Sequence, residues 1–389
     1  MEIGIDKLGF YTPHMYVDTK NLALARNIEP EKFTIGIGQE KMAVPPITQD
    51  AVSLAANAAL EILTPKDKKE IDFVIFATES GVDHSKAAGI YLQHLLEINP
   101  NARSIEVKQA CYSATAGIQI AKGHISLNPT SKVLILGSDI ARYGLNTGGE
   151  VTQGAGAVAI LMSADPKIMT IESPSSYQTE HVMDFWRPIY SDTAFVQGKY
   201  SVDQYMAFFQ NLLEDYKNKT GYGLKDFEAI LFHLPYTKMG LKALKNATAE
   251  ASEEDRERLL SNFEISKQYN TTVGNIYTGS LYLSLLSLLE LNTTIEAGSR
   301  VALFSYGSGA VGEFFSGILQ PGYRDALYTA QHKALLAERK EITVAEYEKI
   351  FQETVPVGLS DVELPVEKDP APICFSGIKD HMRQYVYKK

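Results

Sequence analysis

The chain has 389 residues, of which 45% are hydrophobic, and a net charge of −10 from 37 basic and 47 acidic side chains. Its length exceeds the ~100–200 residues of a typical domain, so two domains or one duplicated domain are expected. The acidic balance argues against a general nucleic-acid or anionic-membrane binder, because either would need a basic face, whereas an anionic small substrate needs only a local pair of lysines.

The two cysteines, Cys111 and Cys374, form no CxxC pattern. This argues against a disulfide scaffold and against a structural metal site. The first residues, MEIGIDKLGFYTP, lack a basic-then-apolar signal pattern, and no apolar run approaches the ~18 residues of a transmembrane helix. We therefore expect a cytoplasmic protein with no membrane partner, in which thiols stay reduced.

Short apolar runs alternate with helical segments, which is typical of an α/β fold. Most of the predicted strands are apolar nearly throughout, as expected when helices cover both faces of a sheet. The tail from 324 to 389 is more charged and is predicted to form external helices and loops. The predicted elements, in chain order, are helix 47–63, strand 72–78, helices 86–97 and 112–127, strands 133–139 and 157–163, helix 203–219, strand 229–234, helices 237–247 and 279–291, and strands 301–307 and 313–319.

The order of these signals repeats along the chain. DFVIFATE (72–79) corresponds to DFEAILFH (226–233), with both ends offset by 154 positions (226 minus 72 and 233 minus 79). The strings GAGAV and GSGAV, which begin at 154 and 307, continue the repeat. A duplicated unit is therefore predicted. The predicted division is a first half, an insertion rich in turn formers and aromatics that lies over the site, and a second half with a C-terminal extension, spanning 1–172, 173–218 and 219–389.

The candidate nucleophile is Cys111, in KQACYSATAGIQIAKGHI (108–125), at the predicted start of a helix rich in small residues. A helix N-terminus carries about +0.5 elementary charge and free N–H groups, and both lower a thiol pKa from ~8.5. The pattern therefore predicts a reactive thiolate at Cys111. The alternative is a buried structural cysteine, which is the interpretation kept for Cys374.

Two polar residues end apolar strands at equivalent positions of the repeat. His233 is the best candidate for a proton carrier beside a thiolate, because histidine suits an acid near its usual pKa of ~6.5. Glu79 ends the other strand, where a carboxylate is costly unless it is paired or working. A satisfied core histidine and a capping carboxylate are the structural alternatives. Because equivalent strand ends converge in such folds, both side chains are expected near Cys111.

Two glycine-containing segments carry candidate binding groups. Asn275, in TTVGNIYTGS, precedes a predicted helix, and its amide can hold a carbonyl oxygen, a water or an imidazole, or can cap that helix. The loop YGSGAVGE (306–313) crowds glycines next to Ser308. Backbone N–H groups of such a loop suit a thioester oxyanion, although tight turns use glycine for other reasons too.

Together these strings resemble the 3-hydroxy-3-methylglutaryl-CoA (HMG-CoA) synthases of the mevalonate pathway. The similar blocks are collinear and extend from about residue 3 to 320. They are ACYSATAG around Cys111, FHLPYTK around His233, GNIYTGS around Asn275, FSYGSG up to Ser308, DFWRP (184–188), QGKYS (197–201) and TQGAGAV (152–158).

The resemblance implies a thiolase-like fold, a five-layered αβαβα core built from two similar halves, usually as a homodimer. It implies condensation of acetyl-CoA with acetoacetyl-CoA and water to give HMG-CoA and CoA, with no cofactor. Cys111 would be the acylated nucleophile, Glu79 the general base and His233 the general acid. The resemblance also implies substrate-binding positions, which are Thr152, Ser201, Asn275 and the backbone around Ser308.

Lys238 and Lys242 lie four residues apart on the helix predicted after His233, so both project from one face. The resemblance suggests that they meet the phosphates of CoA. A solvated helix face is the alternative, and Lys245 is not expected to point the same way.

Other functions on related folds were weighed against this one. A type III ketoacyl-ACP synthase shares the Cys–His–Asn set but needs no carboxylate such as Glu79, and HLPYTK departs from its His-Gln-Ala-Asn pattern. A polyketide β-branching homologue would act on a carrier-protein-bound ketone, against which the lysines argue weakly. A thiolase would need a second catalytic cysteine, and Cys374 lacks the motif. A non-catalytic acyl-CoA-binding protein is disfavoured because all three candidate catalytic residues are present.

Overall fold

The computed structural model describes residues 1–191, 193–356 and 358–388. Its strands are β1 (Ile3–Tyr11), β2 (Met15–Asp18), β3 (Lys41–Val44), β4 (Ile71–Ala77), β5 (Arg103–Val107), β6 (Lys132–Ala141), β7 (Gly154–Ala164), β8 (Met169–Thr179), β9 (Phe185–Trp186), β10 (Phe195–Val196), β11 (Ala229–Phe232), β12 (Arg300–Gly307), β13 (Val311–Leu319), β14 (Lys340–Glu341), β15 (Val362–Glu363), β16 (Ile373–Lys379) and β17 (Met382–Tyr387). Its helices are α1 (Thr19–Ala25), α2 (Ala51–Ile62), α3 (Pro65–Glu70), α4 (Ala88–Leu95), α5 (Ser113–Leu127), α6 (Gly198–Thr220), α7 (Thr237–Ala247), α8 (Glu253–Ser266), α9 (Gln268–Val273), α10 (Ser280–Leu291), α11 (Thr329–Ala337) and α12 (Val344–Gln352).

Nine strands pair in one sheet, in the order β11-β12-β13-β8-β1-β7-β6-β4-β5. Strand β4 runs parallel to β5 and β6, and β11 runs parallel to β12, while the other neighbours are antiparallel. The two halves of the sheet meet at a short β1–β8 pairing, where Gly4 faces Thr170. A Cβ at Gly4 would lie 2.0 Å from the Met169 carbonyl oxygen, so this junction requires a glycine.

The predicted duplication is visible in this sheet. Strands β4, β6 and β7 of the first half correspond to β11, β12 and β13 of the second, and the helices α5 and α10 occupy equivalent places between them. Apolar side chains of α5 and α10 share one core with strands of both halves. Helices α2 and α4 cover the outside of the first half, and α6, α7 and α8 cover the second. The layers are therefore αβαβα, as predicted.

The two central helices reach from one half into the other. The Thr115 hydroxyl of α5 donates to Ser305 of β12 at 2.8 Å, and the Ala114 N–H donates to the Thr278 hydroxyl just before α10 at 2.7 Å. The Thr278 N–H in turn donates to Asp139 of β6 at 3.3 Å. These crossed hydrogen bonds hold the N-terminal ends of both helices at the interface between the halves.

The predicted insertion, 173–218, is too long. Residues 173–179 belong to β8, which pairs with β13, and α6 begins at Gly198 and packs on the second half. Turn-forming side chains in SPSSYQT suggested a loop, but the sheet supplies hydrogen-bond partners to that backbone. The segment between β8 and α6, residues 180–197, contains the β9–β10 hairpin, in which Trp186 stacks on Phe195 at 5.6 Å.

The C-terminal tail contains helices, as predicted, but its remainder was wrongly expected to be loops. Strands β15, β16 and β17 form a three-stranded antiparallel sheet, and β14 joins β2 and β3. Cys374 is fully buried in β16, which agrees with its structural interpretation. In the described parts of the chain, no helix is long and apolar enough to cross a membrane, and no cluster of three or more His, Cys, Asp or Glu side chains could hold a metal ion.

Candidate active site

The candidate nucleophile and the candidate base are in direct contact. Glu79 follows β4 and Cys111 lies just before α5, and the Cys111 thiol donates to Glu79 Oε1 at 3.2 Å. The chain turns sharply ahead of the thiol, because Ala110 has a left-handed φ of 43°. This contact brings together two side chains that are 32 residues apart in the sequence.

The thiolate predicted at Cys111 is not what the structure shows. Burial raises the pKa of the Cys111 thiol well above its usual value, and the negative charge of Glu79 and the hydrogen bond to Glu79 raise it further. Burial and the nearby carboxylates raise the pKa of the thiol by more than the helix N-terminus was expected to lower it. In the free protein Cys111 is therefore a protonated thiol, and its proton points at a carboxylate able to remove it.

A second carboxylate, Asp139 of β6, holds Glu79 in place. Asp139 Oδ1 accepts hydrogen bonds from the Glu79 N–H at 2.8 Å and from the hydroxyls of Thr78 and Ser80 at 2.9 Å each. Burial raises the pKa of Glu79, and repulsion from Asp139 raises it further. Glu79 is therefore a stronger base than a solvated glutamate.

Replacing Asp139 tests this electrostatic coupling. Asp139→Asn removes the negative charge that raises the Glu79 pKa, so Glu79 ionises at lower pH. We expect the acidic limb of the pH profile for the reaction that Glu79 catalyses, measured in a single turnover, to move down by about one pH unit. Asp72→Asn is the control, because it removes a partly exposed carboxylate that contacts His124. An unmoved acidic limb in the Asp139 variant would contradict the coupling.

His233 lies at the end of β11, where only 2% of the residue is exposed. The backbone N–H of His233 donates to the Phe304 carbonyl oxygen at 2.9 Å, and its backbone carbonyl oxygen accepts from the Tyr205 hydroxyl at 2.8 Å. Its Nδ1 is buried and has no hydrogen-bond partner among the described residues. Burial lowers the pKa of His233 to about 3, so the expectation of an acid near 6.5 is wrong and the imidazole is neutral at pH 7.

The loop that holds Ser308 packs directly on the nucleophile turn. A Cβ at Gly307 would lie 2.7 Å from the Tyr112 nitrogen, so glycine permits this approach. Gln109 Nε2 donates to the Ser308 carbonyl oxygen at 3.2 Å. The N–H groups of Gly309 and Ala310 already donate to Asp184 Oδ1 and to the Glu180 carbonyl oxygen. Of the predicted oxyanion donors, these two are therefore occupied.

Asn275 and Thr152 meet at one backbone contact. The Asn275 N–H donates to the Thr152 carbonyl oxygen at 3.2 Å, and the Thr152 hydroxyl donates to Gly149. Asn275 Oδ1 accepts from the Tyr277 N–H and the Ser280 hydroxyl, so it caps the turn before α10, as the alternative interpretation held. Its Nδ2 donates to the Tyr143 hydroxyl at 3.0 Å, which joins this group to an aromatic cluster.

Ser201 lies in the first turn of α6 and donates to Asp184 Oδ2 at 3.4 Å. Asp184 is fully buried and also accepts from the Tyr306 hydroxyl at 2.8 Å. The Arg187 guanidinium donates to the carbonyl oxygen of Glu79. The described residues between β8 and α6, 180–191 and 193–197, therefore close over the site, and hydrogen bonds of the Asp184 and Arg187 side chains help to hold them there.

A cavity of about 1120 Å³ opens beside this segment. Glu79, Gln109, Arg187 and Ser308 line it, whereas Cys111, His233 and Asn275 do not. Lys238 and Lys242 are exposed on α7, which begins four residues after His233, and they also lie outside this cavity.

Sequence reasoning missed four residues of the site, which are Asp139, Tyr143, Asp184 and Arg187. A signal existed for three of them. Asp139 ends the apolar run VLILGSD, the pattern that singled out Glu79, and Asp184 and Arg187 both lie in the block DFWRP. The sequence did not show which residues these side chains would contact.

Two family models match the chain. The model for the N-terminal part of hydroxymethylglutaryl-coenzyme A synthase matches residues 1–167, and the model for the C-terminal part matches residues 170–265 and 243–357. A hydroxymethylglutaryl-CoA synthase of Enterococcus faecalis is 49% identical over 385 residues, which are 99% of this chain and 100% of that protein. The chain belongs to the HMG-CoA synthase family.

Solved structures of HMG-CoA synthases agree with this assignment. One, complexed with CoA, has a TM-score of 0.97 and 44% identity, with all of both chains covered. Another, in complex with 3-hydroxy-3-methylglutaryl coenzyme A, has a TM-score of 0.88 and 32% identity over 100% of this chain and 99% of the other. A 3-hydroxy-3-methylglutaryl-ACP synthase of polyketide biosynthesis from Bacillus subtilis is 31% identical, covering 94% of this chain and 92% of that protein. The predicted family, thiolase-like fold and acyltransferase class are thereby confirmed.

Proposed function

We propose that this chain condenses acetyl-CoA with acetoacetyl-CoA and water to give HMG-CoA and CoA, through an acetyl group carried on Cys111. The single observation that carries the proposal is the hydrogen bond between the Cys111 thiol and Glu79, in a chain that matches its family over nearly its full length. The contact pairs a nucleophile with a base, which is what acyl transfer to sulfur requires.

The first step is acetyl transfer. Glu79 accepts the Cys111 proton while the sulfur attacks the carbonyl carbon of acetyl-CoA. The bond between that carbon and the CoA sulfur breaks, and the departing thiolate receives the proton. The product is an acetyl thioester on Cys111, beside a Glu79 that is again ionised.

The second step forms the carbon–carbon bond. Glu79, with its raised pKa, removes a proton from the acetyl methyl group, and the resulting carbon nucleophile attacks the ketone of acetoacetyl-CoA. His233 is neutral, so it polarises the ketone oxygen as a hydrogen-bond donor and does not hold a stored imidazolium proton. The proton that Glu79 removed from the methyl group passes to the resulting alkoxide, which becomes the hydroxyl of the product, and Glu79 is ionised again. Water then hydrolyses the enzyme thioester, which restores the Cys111 thiol and leaves the new carboxylate on the product.

The remaining site residues surround these reacting groups in the proposal. Asn275 and the backbone around Ser308 hold acyl carbonyl oxygens. Thr152 and Ser201 line the substrate pocket, where each already anchors a local turn or helix.

Replacing the two exposed lysines of α7 tests where CoA binds. Lys238→Gln with Lys242→Gln removes two positive charges that we assign to the CoA phosphates. We expect the KM for acetyl-CoA to rise roughly tenfold at low salt and the difference to shrink at high salt, because exposed ion pairs are worth ~0.2–1 kcal/mol each and are screened. Lys333→Gln, an exposed lysine of α11, is the matched control, because Lys245 lies three and seven residues from the pair and, contrary to expectation, shares their face of α7. Equal KM values for the double variant and this control would contradict the assignment.

Intact-protein mass spectrometry tests the reaction itself. Acetyl-CoA should add one acetyl group, which peptide mapping places on Cys111. Acetoacetyl-CoA should then consume that adduct and release an HMG thioester. An adduct that is not consumed by acetoacetyl-CoA would contradict the proposal.

The second candidate is the carrier-protein-dependent version of the same reaction. It is favoured by one observation, the 31% identity to the B. subtilis HMG-ACP synthase. The same experiment separates the two, because that enzyme type would leave the adduct intact until an acetoacetyl carrier protein is added.

We infer a homodimer that pairs through β5. This strand is an unpaired edge of the nine-stranded sheet, and such edges are templates for another chain. Exposed isoleucines flank it, with Ile105 on the strand, Ile90 on α4 and Ile120 on α5. Light scattering should give twice the 43.0 kDa of one chain, and a mass of one chain would contradict the inference. The cytoplasmic location and the absence of a cofactor stay predictions.

A further inference from the structure

We propose that Tyr347, in helix α12 of the C-terminal extension, is a positioning residue for the condensation. It acts through Gln153 on Tyr143, whose hydroxyl contacts Asn275. The inference rests on the proposed function for its assay, but its contacts are independent of that function.

The loop between β6 and β7 is fastened to α12 at both ends. At one end the Arg142 guanidinium lies 4.2 Å from the centre of the Phe351 ring and donates to the Phe351 carbonyl oxygen. At the other end Gln153 Nε2 donates to the Tyr347 hydroxyl at 2.7 Å. The loop therefore takes its position from a helix that lies almost 200 residues later in the chain.

Gln153 transmits this position to Tyr143. Only 3% of Gln153 is exposed, and its Oε1 accepts from the Tyr143 N–H at 2.6 Å and the Gly144 N–H at 3.2 Å. The Tyr347 hydroxyl fixes the other end of the same carboxamide. Without the Tyr347 hydroxyl, the buried Gln153 Nε2 loses its hydrogen-bond acceptor. The Gln153 carboxamide is then free to rotate away from the Tyr143 and Gly144 N–H groups.

Tyr143 carries the effect into the active site. Its hydroxyl accepts from Asn275 Nδ2 at 3.0 Å, and its ring packs edge-on against Tyr277 and Phe185 at about 6 Å. Burial raises the pKa of Tyr143, so its phenol stays protonated and can donate as well as accept a hydrogen bond. A shift of the loop between β6 and β7 would therefore move the Asn275 side-chain amide, which we propose donates a hydrogen bond to an acyl carbonyl oxygen.

The docking of α12 does not depend on the Tyr347 hydroxyl. Arg26 makes a bidentate pair with Glu150 at 2.7 and 2.8 Å and a second ion pair with Glu348 of α12 at 2.6 Å. The Tyr347 ring is buried in an apolar cluster with side chains such as Val17, Met42 and Val151. Tyr347→Phe keeps these contacts and removes only the hydroxyl, with its hydrogen bonds to Gln153 and to Glu150, so the helix is expected to stay in place.

The test is steady-state and pre-steady-state kinetics of Tyr347→Phe with acetyl-CoA and acetoacetyl-CoA. We expect kcat for condensation to fall roughly tenfold, with the KM for acetyl-CoA and the melting temperature unchanged. In a Tyr143→Phe background the same substitution should have little further effect, because the route to Asn275 is already cut. Tyr328→Phe, which removes another partly buried hydroxyl of the extension, is the matched control and should keep full kcat.

Three results would overturn the inference. The first is an unchanged kcat in Tyr347→Phe, and the second is a lower kcat accompanied by a lower melting temperature. The third is a tenfold loss of kcat when Tyr347→Phe is added to Tyr143→Phe. Wild-type turnover is measured first. A failure of the proposed function would appear as no turnover in the wild type, and a failure of this inference as equal turnover in wild type and variant.

Discussion

Cys111→Ala should abolish both acetyl-enzyme formation and turnover. Alanine has no atom that can carry the acetyl group. The other thiol, Cys374, cannot replace Cys111, because it is buried in β16 and its pKa is raised to about 11 by burial and by Asp369. Loss of a nucleophile typically lowers kcat by ~10⁴-fold or more. Intact-mass measurement after mixing with acetyl-CoA, together with release of free CoA, gives both readouts.

Cys374→Ala is the matched control for this variant. It removes a buried thiol whose partners, the Ala371 carbonyl oxygen, Lys388 and Asp369, lie outside the site, so we expect normal acetylation and turnover with a small loss of stability. An acetyl adduct on Cys111→Ala, or loss of the adduct on Cys374→Ala, would show that the nucleophile is assigned to the wrong residue.

The site residues predicted from sequence share a recognisable local setting. Glu79 and His233 each end a strand that is apolar nearly throughout, and Cys111 opens a helix of small residues. The repeat placed the two strand ends in equivalent positions, and the duplicated sheet confirms that equivalence. Apolar runs and their periodicity are properties of short segments, so they can be identified directly in a sequence.

The charge states could not be predicted in this way. The pKa of Cys111 was expected to be low, and the structure raises it because the thiol is buried and because Glu79, Asp139 and Asp184 approach it from three separate segments. The pKa of His233 was expected near 6.5, and the structure lowers it because the surrounding side chains remove water. Such shifts depend on which distant segments meet, and no local pattern records that.

The role of the C-terminal extension was missed for the same reason. Tyr347 and Gln153 are 194 residues apart, and although Gln153 stands in the block TQGAGAV, Tyr347 stands in no motif that would connect the two. The strands β16 (ICFSGIK) and β17 (MRQYVY) were missed because they are short runs within a charged tail that was expected to lie outside the core. Contacts that join a tail to a catalytic loop become visible only in the folded chain.

Glu79→Gln should separate the two chemical steps. The acetyl adduct on Cys111 should still form, although more slowly, because glutamine cannot accept the thiol proton, whereas removing the Glu79 charge lowers the Cys111 pKa and lets water take that proton. Condensation should fall by about 10²–10⁴-fold, because a neutral amide cannot remove a proton from the acetyl methyl group. The variant should therefore accumulate acetyl-enzyme in the presence of acetoacetyl-CoA, which intact-mass measurement over time detects.

The pH dependence of alkylation provides an independent check on the same variant. Iodoacetamide reacts with the thiolate, so the midpoint of Cys111 labelling should move to lower pH in Glu79→Gln than in the wild type. Glu106→Gln, which removes a carboxylate that lines the same cavity but bonds the Ala88 N–H, is the matched control and should leave that midpoint in place. Normal condensation by Glu79→Gln would refute the assignment of Glu79 as the base. A labelling midpoint that moves to higher pH would instead show that the Glu79 carboxylate favours the thiolate, opposite to the coupling that the structure indicates.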